Sequence, residues 1–132
     1  MTPERGSAGV LLGAVAGVIL LLAALLGAVG VYLRARIEVS AAADAAALAA
    51  APVTFLPFGA EGTPSEEAER FARLNGTELR RCRCPVDPSW EARTVEVEVA
   101  RTVRLWPAGS VTVTATSRAE FVPTALLVEG LD

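Results

Sequence analysis

Residues 8–51 read AGVLLGAVAGVILLLAALLGAVGVYLRARIEVSAAADAAALAAA, and this stretch decides the architecture. From Ala8 to Leu33 it holds no charged residue across 26 positions. At about 1.5 Å per helical residue the run spans about 39 Å, more than the roughly 30 Å hydrocarbon core of a bilayer. Arg34, Arg36 and Glu38 end it, and Val39 to Ala51 continue in good helix formers, chiefly Ala. No Gly or Pro stands between Gly30 and Pro52, whose ring and missing N–H oppose helix continuation. The pattern predicts a single helix over 7–51, about 68 Å long at the standard rise, half in lipid and half projecting as an Ala-rich stalk.

A secretory signal peptide is the competing reading. Its apolar region is typically about 7 to 15 residues, followed closely by a small-residue cleavage site. Here the apolar run is far longer, and Ala41-Ala42-Ala43 lies well downstream of it. Length therefore favours a retained membrane helix. Charge orients it weakly: Arg5 is offset by Glu4 on the amino side, while Arg34 and Arg36 mildly favour a cytoplasmic carboxyl side.

The rest of the inventory excludes several chemistries. The 132-residue chain leaves 81 residues after Ala51, enough for one small domain. All 12 basic side chains are Arg, with no Lys and no His. A His base, a His metal ligand, a Schiff-base Lys and a P-loop Lys are all missing, so the chain reads as no enzyme and as needing no cofactor or metal. The net charge of −3 offers no basic face for nucleic acid, and no small-molecule substrate is expected.

Gly9, Gly13 and Gly17 fall on one helical face as two overlapping G-x-x-x-G units. In lipid such a face lets two backbones approach, which predicts a helix–helix contact, although Gly is also frequent in membrane helices generally. Asp44, set among alanines, reads either as an exposed solubilising residue or as an intermolecular partner for an Arg or a backbone amide.

The carboxyl-terminal part predicts an α+β unit, a helix packed on a small antiparallel sheet. Pro52 to Gly62 is a loop made unusually apolar by Phe55, Leu56 and Phe58, suited to packing on the domain or to the membrane surface. Thr63, Pro64 and Glu66 form a capping box with Pro at the first helical position, and Asn75-Gly76 ends that helix. Three extended segments follow: Glu78 to Val86, Thr94 to Trp106, and Ser110 to Val122, the last two joined by Pro107-Ala108-Gly109. Val95, Val97 and Val99 alternate with Glu96 and Glu98. Arg101 falls on the valine face, predicting a bulge, a twist out of the core or an intersubunit role. Glu96 and Glu98 could raise one another's pKa, but a solvated strand face is the better reading.

Cys82 and Cys84, the only cysteines, are too few for structural zinc. They could stay reduced, form a tight internal C-x-C disulfide, or bridge to another chain.

Glu4-Arg5-Gly6-Ser7, the long apolar helix and Ala43-Asp44-Ala45-Ala46-Ala47-Leu48-Ala49-Ala50 together resemble the TadE/TadG-like pilus-assembly proteins, most closely the short TadE-like type. The resemblance covers about residues 4–51. It implies a minor pseudopilin-like structural component of a tight-adherence (Flp-type) pilus or a related secretion apparatus. It also implies a single-pass protein of the cell membrane with an extracytoplasmic carboxyl domain. Its partners would be the membrane, other pilus or pseudopilin subunits and the assembly platform. The domain plan is then a leader over 1–6, the helix and its extension over 7–51, and an exported domain over 52–132. A prepilin-type cut would fall at Gly6-Ser7, making Leu11 the fifth mature residue, where type IV prepilins commonly carry Glu. That departure implies a low-copy component. The alternatives are a single-pass subunit of another envelope complex and a membrane-tethered binding domain that uses its sheet or the 55–58 loop.

Overall fold

The computed structural model describes residues 5–58 and 61–127. Helix α1 spans Arg5–Val53, followed by a 3-10 turn at Leu56–Phe58, helix α2 at Pro64–Leu74, and strands β1 (Glu78–Arg83), β2 (Arg93–Leu105) and β3 (Gly109–Phe121). A second 3-10 turn at Pro123–Leu127 closes the described chain, where the sequence pattern predicts no element. The strands form one antiparallel sheet in the order β1-β2-β3. The helix–sheet unit read from the sequence is present, with strand ends displaced by one to three residues.

The Ala-rich half of α1 is not a free stalk. Ala35, Val39, Ala42, Ala43, Ala46, Ala47, Ala50 and Ala51 are buried, and they share one cluster with Val95, Val97, Val99, Val113 and Ala119 of the sheet and Ala68 and Ala72 of α2. Their spacing of three and four residues keeps them on one helical face. A methyl is the smallest side chain that still contributes apolar surface, so an alanine face lets the sheet and α2 approach the helix axis closely. The strands answer with β-branched valines, which pack well on a pleated surface. Alone, 52–132 would lack the central element of its own core.

Helix α1 passes Pro52 by one residue. That close to the end, the missing N–H removes a single bond, and the chain turns immediately afterwards. The Thr54 amide and hydroxyl both donate to the Ala51 carbonyl, at 3.2 and 2.6 Å. Phe55, in the apolar loop, is buried and packs edge-on against Trp90, with centroids 4.9 Å apart, and tilted against Phe121. It closes the end of the domain farthest from the apolar half of α1, whereas Leu56 is exposed.

Helix α2 begins as its sequence dictates. Thr63 Oγ1 accepts from the Glu66 amide at 3.2 Å, and the Glu66 carboxylate accepts from the Thr63 amide at 2.7 Å. It ends in a Schellman arrangement: the Gly76 amide donates to Arg73 and the Thr77 amide to Ala72, both at 3.0 Å. Gly76 has φ +69°, where a side chain would be strained.

The tightly packed alanine face makes a specific expectation. Ala46→Leu forces a larger side chain under the sheet and should destabilise the domain by about 1–3 kcal/mol. Leu48 is exposed on the opposite face, and Leu48→Ser should change stability by no more than about 0.5 kcal/mol. Denaturant unfolding of both variants in micelles checks the contrast.

Candidate functional site

The first half of α1 carries the largest unpartnered surface. Among the described residues, Val10, Leu11, Leu12, Ile19, Leu20 and Leu26 are each at least 60% exposed, and the neighbouring leucines and valines remain open to a similar degree. An apolar patch of this extent is foreign to an ordinary soluble surface. The helix is long and apolar enough to cross a membrane. The chain is membrane-anchored, with a small helix and three-stranded domain built around the distal half of its anchor.

Gly9, Gly13 and Gly17 lie on this half, and a Cβ at any of them would meet nothing within 4 Å. Among the described residues, no contact therefore requires glycine there. Gly6 and Ser7 lie within the first turns of α1, while Glu4 falls outside the described residues. Asp44 is exposed on the helix and accepts a hydrogen bond from the Ser117 hydroxyl of β3, which gives it a partner within the chain. Cys82 and Cys84, both half-buried against the core, are joined in a disulfide, with Cα atoms 5.5 Å apart.

Arg101 shows neither the expected bulge nor a twist out of the core. The β2–β3 ladder is regular through it, with Arg101 opposite Val113, and the register shift lies instead between Leu79 and Arg81 of β1. The side chain turns towards α1 and pairs with Glu38 at 2.6 Å, within the chain. Glu38 also holds Arg34 at 2.8 Å. Glu38 thus links the exit of the apolar helix to the middle of the sheet. Its carboxyl is held below the ordinary value, first by the hydrogen bond from Arg34 and then by that from Arg101.

Arg93 has a role that sequence reasoning misses. It is buried, donates to the carbonyls of Thr54 at 3.2 Å and Glu91 at 3.1 Å and to those of Asp87 and Ser89, and lies over the Phe55 ring at 5.5 Å. One guanidinium therefore joins the end of α1, the 87–91 loop and the sheet. The available signal is phase. Arg93 and Arg101 stand in step with Val95, Val97 and Val99, so two arginines bracket the apolar strand face at its two ends.

The outer face of the sheet is an Arg–Glu ladder. Arg118 pairs with Glu96 at 2.7 Å and Arg81 with Glu98 at 3.1 Å. The hydrogen bond from Arg118 lowers the Glu96 pKa, and the charges of Arg118, Arg83 and Arg81 act in the same direction. Among the described residues, no group of three or more His, Cys, Asp or Glu is placed to hold a metal ion.

No family model, no curated protein and no solved structure matches this chain.

The carboxylates give a pH expectation. Glu38, Glu66, Asp87 and Glu96 all have pKa values lowered by folding, with hydrogen bonds as the first cause in each case. Such groups stabilise the fold above the unfolded values of about 4 and lose that contribution as the pH falls through the folded values. The unfolding temperature should stay level from neutrality to about pH 5 and drop below about pH 4. A rise on acidification, followed by circular dichroism, would contradict these assignments.

Proposed function

We propose that this protein is a non-enzymatic, single-pass subunit of an envelope assembly, with its α+β domain held outside the cytoplasm. The observation that carries the reading is the continuity of α1: one helix is both the apolar anchor and the core of the domain. The arrangement argues against a cleaved signal peptide. A cut among Ala41–Ala43 would remove Ala35 and Val39, which belong to the buried cluster. Continuity also leaves no flexible linker, so the domain's position is fixed relative to the membrane, as a structural subunit requires. The C-x-C disulfide supports an oxidising compartment for the domain. The glycine face, which touches no other part of the chain among the described residues, is the surface for a partner helix.

The narrower reading, a minor pseudopilin-like component of a tight-adherence pilus, rests on the resemblance of residues 4–51. Leu11, where type IV prepilins commonly carry Glu, favours a position at a filament tip or outside the filament, because that carboxylate would neutralise a neighbouring amine in an apolar bundle.

One experiment with two readouts tests the proposal. A reporter active only outside the cytoplasm, fused after Asp132, should be active both in the parent and in Gly13→Leu. Membrane crosslinking should capture a partner from the parent and lose it in Gly13→Leu. Activity only from a cytoplasmic reporter would overturn the export assignment. An unchanged crosslink would overturn the glycine face.

A further inference from the structure

The hairpin joining β2 and β3 points back towards the apolar half of α1. The Arg101–Glu38 pair fixes the alignment of strand and helix at one level. Strands and helix then run on in the same direction, and Tyr32, Val103 and Val111 all pack on the same core cluster. Tyr32 lies inside the charge-free run. From Arg101 to Trp106 the strand advances about 16 Å at roughly 3.3 Å per residue, or about 13 Å if tilted. At about 1.5 Å per helical residue that distance reaches from Glu38 to between Gly27 and Gly30. The hairpin tip therefore hangs beside the last turns of the apolar run, on the apolar side of Arg34.

The length of that run matches the overhang. A bilayer core needs about 20 helical residues, or about 30 Å. The 26 charge-free positions exceed this by six, enough to place the last turns in the headgroup region when the acyl core is filled from the amino-terminal end of the run. The tip residues suit that region. Trp106 is 80% exposed although it is the largest side chain in the turn. With Arg104, Pro107, Gly109 and Ser110 it lines an open notch of about 310 Å³ whose wall, among the described residues, holds no carboxylate. Trp and Tyr concentrate at membrane interfaces because an apolar ring and a polar N–H or O–H fit the boundary between acyl chains and water. An arginine beside them meets lipid phosphates with charge-assisted hydrogen bonds.

We propose that the β2–β3 hairpin tip is a second membrane contact, in which Trp106 enters the lipid interface beside Tyr32 and Arg104 binds headgroup phosphate. The proposal rests on the reading of α1 as a membrane span but not on which side the domain lies. Two contacts, the helix and the hairpin, define a plane and hold the domain at a fixed tilt.

The two tryptophans make the test clean, since Trp90 packs on Phe55 at the opposite end of the domain. The full-length protein is reconstituted in phosphatidylcholine–phosphatidylglycerol vesicles, with or without lipids brominated near the headgroup end of the acyl chains. In Trp90→Phe, which leaves only Trp106, brominated lipid should quench most of the emission and acrylamide should quench little. In Trp106→Phe, which leaves only Trp90, brominated lipid should have no effect. Flotation after an alkaline wash reports the anchor independently. A protein that floats while Trp106 is unquenched by brominated lipid overturns the hairpin contact and leaves the anchor standing. That outcome with Trp106 open to acrylamide puts the tip in water, and with Trp106 shielded it puts a protein partner or second copy there. A protein that fails to float overturns both.

Discussion

Everything in this molecule depends on the contact between the alanine face of α1 and the valine face of β2. Val95, Val97 and Val99 are fully buried, and so are Ala42, Ala43, Ala46, Ala47 and Ala50 opposite them. Burying one valine side chain stabilises a fold by roughly 1.5–3 kcal/mol. A three-stranded sheet and an 11-residue helix bury little between themselves. The distal half of the anchor helix supplies the missing side of the core, and so membrane attachment and folding share one element.

That sharing shapes the polar interactions as well. Arg93 closes the far end of the helix–sheet contact by gathering carbonyls from the chain leaving α1 and from the 87–91 loop. Arg101 closes the near end through Glu38, just where the helix becomes apolar. Between these two fixed points helix and strand cannot slide past each other without breaking an ion pair or unburying a guanidinium. The domain's height above the membrane is therefore set by chemistry in β2 and α1 rather than by a linker.

Much of this is legible in the sequence, for identifiable reasons. The 26-residue charge-free run, the Thr63–Glu66 capping box and the Val95–Val99 alternation are local signals, and helix and strand periodicity follow from them directly. The packing of the alanine face is not legible in that way. A stretch such as Ala41–Ala51 shows almost the same residue on every face, so composition cannot say which face is buried or whether any is. Only the partner strands decide it. Arg93, Arg101 and Glu38 are hidden for a related reason, since the contacts that tie strand to helix join residues 39 positions apart for Arg93 and Thr54 and 63 apart for Arg101 and Glu38. Asp44 reads equally well as facing solvent or another chain, and its bond to Ser117 is just as non-local.

The central claim, that the distal half of α1 is core rather than stalk, is most directly tested by amide hydrogen exchange of the full-length protein in lipid or detergent. The amides of Ala42–Ala51 should exchange as slowly as those of Val95–Val99, because both open only when the domain unfolds. Fast exchange across Ala42–Ala51 alongside a protected sheet would contradict the account.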